Sequence, residues 1–179
     1  MELELYIQEV LEQIAIGNVE VYNEFSLQHE LGIYLRQMLP GYKVQFERNV
    51  SFFGIKGTIK KEIDIVVYND KERYAIELKY PLNGQHPEQM FSFVKDIRFV
   101  EQLKKNGFDS AFAVTLVIDE RFVAGSKIDG IYAYFRDNQE INGIITKPTG
   151  IKNEVVEVEG KYKVNWIKNG KYYYYVMKI

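Results

Sequence analysis

The sequence contains no cysteine, only four prolines, and no long apolar stretch. The absence of cysteine excludes a disulfide-stabilised scaffold. The longest nearly continuous apolar run covers residues 111–118 and includes Thr115, whereas a membrane-spanning helix needs roughly 20 apolar residues. No membrane-spanning segment is therefore expected. Because the first residues are acidic rather than basic, no secretory signal is expected either, and a cytoplasmic location is the default.

The composition is that of a folded domain, with 46% hydrophobic residues and 23 Lys and Arg against 25 Asp and Glu. A single domain over residues 1–179 is the expectation for this length. The charge is distributed unevenly, since residues 1–35 carry seven acids and no Lys or Arg, and residues 161–179 carry five lysines and no acid. Such asymmetry is compatible with a nucleic-acid-binding surface, but ordinary solvated faces are the favoured explanation.

Hydrophobic spacing predicts an α/β fold with two opening helices. Residues 3–16 and 26–39 show helical spacing, with Ser26 as the N-cap of the second helix. Residues 42–53 alternate as in a strand, and residues 87–106 return to helical spacing. The apolar run at residues 111–118 follows that helix, which indicates a central strand reached by a parallel crossover.

The last third of the sequence is expected to form a β meander. Its strands are predicted at Ile131–Arg136 and near residues 151–158, 161–168 and 171–178. Asn169-Gly170 is a strong hairpin signal, and Glu159-Gly160 is a weaker one. The final segment interleaves aromatic residues with lysines, which is compatible with a nucleic-acid platform, a dimer interface or simple core packing.

Residues 63–68 and 73–80 form a predicted β-hairpin that carries acidic groups. If the turn centres between Asp70 and Lys71, facing residues sum to 141. One face then pairs apolar residues: Ile63 with Leu78, Ile65 with Ile76, and Val67 with Tyr74. The other face sets Asp64 directly opposite Glu77, with Lys79 further along.

Two carboxylates in that position repel each other unless something compensates. A bound divalent cation would do so, because Mg²⁺ is commonly held by one or two carboxylates and several waters. With Lys79 beside it, such a site could generate a hydroxide and neutralise a phosphate. The other interpretation is an exposed charged face on which Lys79 pairs with Glu62.

Asp64, a spacer of twelve residues and Glu77-Leu78-Lys79 resemble the motif of the PD-(D/E)XK nuclease superfamily, which has the restriction-endonuclease-like fold. The family core is a helix, three antiparallel strands, a helix and a parallel strand, and residues 26–118 follow that order. Residues 1–25 would be an N-terminal helical extension, and residues 119–179 would be a β-rich C-terminal extension. The sequence departs from the motif at one point, because Ile63 stands where the family has proline.

The resemblance implies a divalent-metal-dependent nuclease that hydrolyses phosphodiester bonds, with DNA as the expected substrate and Mg²⁺ or Mn²⁺ as cofactor. Asp64, Glu77 and the Leu78 carbonyl would bind the metal, and Lys79 would position or activate the attacking water. Glu30 is a further candidate ligand and catalytic residue on the preceding helix. An inactive nucleic-acid-binding or assembly module on the same fold is the alternative, and a homodimer is compatible with either function.

A second group of polar residues is assigned to nucleic-acid binding with less support from the pattern. It comprises His86, Gln89, Lys161, Lys163, Lys168 and Lys171. For His86 the competing interpretation is a surface loop residue. Lys95, Asp96 and Arg98 lie on a helix face of alternating charge, which predicts exposure to solvent.

Overall fold

The computed structural model describes residues 2–150 and 153–179. Its helices are α1 (Leu3–Ala15), α2 (Glu24–Met38), α3 (His86–Lys105) and α4 (Ile131–Arg136). Its strands are β1 (Lys43–Asn49), β2 (Glu62–Tyr68), β3 (Arg73–Lys79), β4 (Ser110–Val117), β5 (Ile141–Thr146), β6 (Val155–Tyr162), β7 (Ile167–Asn169) and β8 (Tyr172–Lys178). Within the described ranges, no helix has the length and apolar character needed to cross a membrane. The predicted α/β class is confirmed.

The main sheet has six strands in the order β1-β2-β3-β4-β8-β7. β3 and β4 are parallel and are connected through α3, as the sequence predicted, while the other neighbours are antiparallel. β5 and β6 form a separate two-stranded sheet. The C-terminal segment is therefore not a simple meander, because β8 joins the main sheet beside β4.

The main sheet is covered on both faces. Alternate residues of a strand point to opposite faces, so β2 contributes to two separate cores. The core under α1 and α2 includes Leu3, Ile7, Leu31, Ile65 and Ile76. The core under α3 and the small sheet includes Val66, Ala75, Val94, Ile97 and Val158. Ile63 was predicted to share the face of Ile65, but it packs in the second core.

The start of α2 differs from the prediction. The N-cap is Asn23 rather than Ser26, and the two residues form a capping box. The Asn23 side chain accepts a hydrogen bond from the Ser26 N–H (2.8 Å), and the Ser26 hydroxyl accepts one from the Asn23 N–H (3.0 Å). Together these bonds satisfy amides that have no partner within the helix. The helix consequently begins at Glu24, earlier than expected.

β1 is shorter than the predicted strand. It ends at Asn49, and a short 3-10 helix, Val50–Phe53, follows it. The Asn49 side chain accepts a hydrogen bond from the Ser51 N–H (3.0 Å), which turns the chain out of the sheet. Gly54 has a positive φ of 74° and ends this turn, a conformation that glycine adopts without strain.

The predictions for the last third fail at three places. The strand expected near residues 161–168 is interrupted, because β6 ends at Tyr162 and β7 covers only Ile167–Asn169. Ile131–Arg136 forms helix α4, with Ile131, Ala133 and Phe135 buried. Glu159-Gly160 lies inside β6 rather than in a turn. The hairpin at Asn169-Gly170 is present, since β7 and β8 pair with Asn169 opposite Tyr172. Of the strand expected near residues 151–158, residues 151 and 152 lie outside the described part of the chain.

Tyr172, Tyr173, Tyr174 and Tyr175 are all buried in the two cores. Core packing is therefore the explanation for this run of aromatic residues. Lys168 and Lys171 lie over the rings of Tyr173 and Tyr172 at 5.0 and 5.1 Å from the ring centroids. Because these rings face the cores, the segment does not offer them as a stacking platform for nucleic-acid bases.

Glu101 of α3 explains why Glu159-Gly160 does not form a turn. Its buried carboxylate accepts hydrogen bonds from the Gly160 N–H (2.6 Å), the Glu159 N–H (3.2 Å) and the Tyr162 hydroxyl (3.0 Å). These bonds hold β6 against α3 where the pairing of β5 and β6 shifts register, between Ile141 and Gly143.

Replacing Glu101 with alanine is expected to lower the free energy of unfolding by about 2 kcal/mol, because three partly buried donors on β6 lose their charged acceptor. Denaturant unfolding measures the loss. Glu157→Ala, an exposed position on the same strand, should change the free energy of unfolding by less than about 0.5 kcal/mol. Equal effects of the two variants would contradict the assigned role of Glu101.

Candidate active site

The β2–β3 hairpin has the predicted register. Ile65 faces Ile76, Val66 faces Ala75, and the pairing continues to Tyr68 and Arg73 at the turn. The ladder stops before Asp64 and Glu77, and side-chain bonds replace it there. The Asp64 N–H donates to the Glu77 carboxylate (3.2 Å), and the Leu78 N–H donates to the Asp64 carboxylate (2.7 Å). Each carboxylate therefore reaches the opposite strand, and the two acids lie together.

Burial makes the negative charges of the two carboxylates energetically costly. Glu77 has 0% exposed surface, and Asp64 is half-buried. Isolated charges in such positions are costly, so they require partners. Two lysines and a third buried acid, Asp96 of α3, supply them.

Lys60 lies in the loop before β2 and pairs with two of the acids. Its Nζ donates to Glu77 and, at 2.9 Å, to Asp96. Lys79 is on the other side of Asp96, with its Nζ 3.4 Å from Asp96 Oδ2 and 3.2 Å from Glu24 Oε1. The Lys79 Nζ also donates to the Leu78 carbonyl (2.9 Å). The carboxylate pair is thus compensated by ammonium groups.

Helix α2 contributes Glu24 and Gln28 to this group, and they lie one turn apart on the same face. Besides pairing with Lys79, Glu24 accepts a hydrogen bond from the Tyr80 N–H (3.1 Å). The Gln28 amide donates to the Asp64 carbonyl (2.6 Å) and to Glu47 (2.6 Å). Glu47 has a positive φ of 48°, which is uncommon outside glycine.

These residues surround a pocket of about 260 Å³. Its lining consists of Glu24, Phe25, Gln28, Glu47, Lys60, Asp64, Leu78 and Lys79. Three of the predicted site residues therefore line it, and Glu77 lies beneath it, in contact with Asp64 and Lys60.

Glu30 is not part of this arrangement. It lines two other clefts, one of them beside Val10 and Tyr34. Glu30 is absent from the lining of the pocket that contains Asp64 and Lys79. Glu24 is the acid of this helix that contacts Lys79, and the sequence analysis did not select it.

Burial and charge shift the pKa values of the carboxylates. Burial raises the pKa of Asp64 to about 6, although Lys60, Lys79 and the bond from Leu78 oppose the shift. Burial, and next the neighbouring Asp64 charge, raise the pKa of Glu77 well above its ordinary value. For a carboxyl group, a raised pKa means that the neighbouring positive charges and hydrogen bonds do not fully compensate its negative charge.

Both lysines stay protonated. Burial alone would lower the pKa of Lys60, but Asp96 and Glu77 outweigh it and the pKa is raised. Burial likewise opposes the charged form of Lys79, and Asp96 and then Glu24 outweigh it. When all are ionised, four carboxylates (Glu24, Asp64, Glu77, Asp96) face two ammonium groups, which leaves the cluster negative.

The donor set suits a hard divalent cation, because Asp64, Glu77 and the Leu78 carbonyl offer only oxygen. Asp96 Oδ2 is also buried and accepts no hydrogen bond. The geometry adds a restriction, since lysine ammonium groups contact both Glu77 and the Leu78 carbonyl. Across residues 2–150 and 153–179, no three or more His, Cys, Asp or Glu side chains are arranged to hold a metal. A cation would therefore have to displace an ammonium group.

The second group of predicted residues lies elsewhere or has other partners. His86 is buried, 2.7 Å from Asp119, and its ring packs against Phe122. It is therefore not the surface loop residue of the competing interpretation. Gln89 donates to Asn83 (3.1 Å). Lys168 is on β7, at the opposite edge of the sheet from β1.

Sequence reasoning missed Lys60 and misjudged Asp96. Asp96 is 4% exposed, not solvated. A signal was available, since it lies three residues after Phe93 and four before Val100, both of them buried on α3. Lys60 had no such signal, because its loop has no repeating pattern. Lys95 pairs with Glu154, just before β6, and Arg98 pairs with Glu159 of β6.

Comparisons of the chain with protein-family models, with curated proteins and with solved structures found no match. What can be inferred about its activity therefore rests on its own residues. The features that support an inference are the acids Asp64 and Glu77, the lysines Lys60 and Lys79, and the pocket beside them.

Replacing Lys60 with methionine is expected to lower the free energy of unfolding by about 3 kcal/mol at pH 8, because Glu77 loses its closest counter-charge while it stays buried. Denaturant unfolding without divalent ions measures this. Lys61→Met is the matched control, since Lys61 is exposed and adjacent. Similar losses in the two variants would show that Lys60 does not compensate Glu77.

The raised pKa of Asp64 predicts a pH dependence of stability. Between its unfolded value near 3.9 and its folded value of about 6, the folded protein binds a proton that the unfolded chain releases. This contribution is present below about pH 4 and is lost as the pH rises through 6. In chelating buffer, the free energy of unfolding of the wild type should therefore fall relative to that of Asp64→Asn between pH 4 and 7. Parallel curves would contradict the shift.

Proposed function

We propose that this chain is a nuclease that requires Mg²⁺ or Mn²⁺ and hydrolyses phosphodiester bonds, with DNA as the expected substrate. One observation carries the proposal: Asp64 and Glu77 meet across the hairpin, and Lys79 borders the same pocket. The order from α2 to β4, a helix, three antiparallel strands, a helix and a parallel strand, supports a restriction-endonuclease-like core.

Asp64, Glu77 and the Leu78 carbonyl are the groups that would hold the metal. When bound, the ion would supply an activated water and neutralise charge on the phosphate. The excess of carboxylates over lysines in the cluster favours the entry of a dication. Its binding requires Lys60 to leave Glu77 or Lys79 to leave the Leu78 carbonyl, so these lysines compete with the ion for oxygen.

Lys79 would act as a hydrogen-bond donor. Because its pKa is raised, it stays protonated near neutral pH and cannot take a proton from water. Its ammonium group, held between Glu24 and Asp96, can instead orient the attacking water or stabilise charge on the phosphate. Glu24 and Asp96 would be positioning residues for Lys79.

A second candidate function is an inactive nucleic-acid-binding or assembly module. The contacts of Lys60 with Glu77 and of Lys79 with the Leu78 carbonyl favour it, because they stabilise the cluster without a metal. Such a module predicts salt-sensitive retention of nucleic acid without product. Substitution of Lys161, Lys163, Lys168 and Lys171 should then weaken that salt dependence.

The proposed function predicts Mn²⁺-dependent cleavage of DNA that chelation abolishes. Lys79→Ala and Glu77→Gln should each lower the cleavage rate at least ~100-fold, because each removes a group that acts on the transition state or its metal. Gel assays of labelled DNA measure the rate. Lys71→Ala, at the exposed hairpin turn, is the control and should cleave like the wild type.

Each variant is assayed well below its own melting temperature, so that loss of folding is not read as loss of activity. Cleavage that continues unchanged in both Lys79→Ala and Glu77→Gln would reject the proposed site. Binding without cleavage at any Mg²⁺ or Mn²⁺ concentration would favour the module instead.

A further inference from the structure

A second pocket, of about 410 Å³, adjoins the lysine-lined one. The two pockets share Phe25 and Gln28 in their linings. The second pocket is further lined by Glu20, Tyr22, Ser26, His29, Glu30 and Phe46. The proposed catalytic pocket therefore continues directly into an aromatic one.

The aromatic rings at this boundary are unusually exposed. Phe25 is 72% exposed and Tyr22 is 71% exposed, although burying such a ring would be favourable. The backbone that carries them is held firmly, because the Tyr22 N–H donates to the Ser26 hydroxyl (2.8 Å) within the capping box of α2. The rings are thus presented to solvent from a fixed helix start rather than from a loose loop.

The two pockets differ in charge, and each suits a different part of a nucleotide. Lys60 and Lys79 border the first pocket beside the acids Glu24, Glu47 and Asp64, so a phosphate can bind there at two ammonium groups, whereas no Lys or Arg among the described residues lines the second. Glu20 and Glu30 border the second and repel a phosphate, but a neutral ring is not repelled. A base can stack on an aromatic face, whatever its identity, because every base has a π-face. Paired bases inside a duplex do not offer that face.

We propose that Phe25, with Tyr22 beside it, stacks an unpaired base next to the phosphate in the lysine-lined pocket, so that the substrate is single-stranded nucleic acid or a frayed end. The inference rests on the proposed function, since it takes the first pocket as the phosphate site. It assigns substrate preference to two residues outside the proposed set of metal ligands.

Binding is tested with the full chain and a fluorescein-labelled 20-nucleotide DNA, as a single strand and as a blunt duplex, in chelating buffer and again with Ca²⁺. Absence of single-strand binding by the wild type in both buffers would overturn the stacking role. Phe25→Ala should weaken single-strand binding roughly 5- to 150-fold by fluorescence anisotropy and change duplex binding less than twofold. Phe52→Ala is the matched control, because Phe52 is also exposed (52%) but lines a different cleft at the hairpin turn. It should bind like the wild type.

A spectroscopic test complements the binding assay. The Phe25→Trp variant should bind the single strand like the wild type, and its added tryptophan fluorescence should be quenched by the DNA. The DNA should not quench the fluorescence of the tryptophan added in Phe52→Trp. The single natural tryptophan, Trp166, is present in both variants and provides the common background.

The outcomes separate this inference from the proposed function. Metal-dependent cleavage with equal single-strand affinity in wild type and Phe25→Ala would overturn the stacking role and leave the nuclease intact. Phe25-dependent single-strand binding without cleavage would reject the nuclease and keep the stacking role. If sedimentation shows a dimer that Phe25→Ala dissociates, while DNA binding is unchanged, the rings cover a second copy and the inference is wrong.

Discussion

The carboxylate of Glu77 has no exposed surface, and its charge must be balanced inside the protein. Lys60 approaches it from the loop before β2, and the same ammonium group binds Asp96 of α3. Lys79 meets Asp96 from the other side. One chain of alternating charges therefore joins a loop, strand β3 and helix α3, and the shape of the pocket depends on it.

The first turn of α2 links this charge cluster to the molecular surface. Its capping box fixes where the helix begins, and the following residues point to three different surroundings. Glu24 contacts Lys79, Gln28 holds the Asp64 carbonyl, and Phe25 remains exposed between two pockets. A small change in the start of this helix would move all three contacts, which is why the cap matters for the site.

Much of the hairpin could be predicted from the sequence, because alternation with period two and the turn together fix its register. The crossover to β4 was equally readable from an apolar run after a helix. The helical state of Ile131–Arg136 could not be predicted, since a short segment of mixed residues fits either a strand or a short helix. Glu159-Gly160 resembled a turn until Glu101, distant in sequence, bonded its amides.

The sequence by itself determined that Asp64 and Glu77 would meet, because local pairing across a short turn is enough to bring them together. It did not determine what compensates them. Lys60, Asp96 and Glu24 reach the pair from separate elements, and only their packing on the sheet decides those contacts. The same packing turned Glu30 away from the pocket and Asp96 into it, because helix orientation depends on the whole core rather than on neighbouring residues.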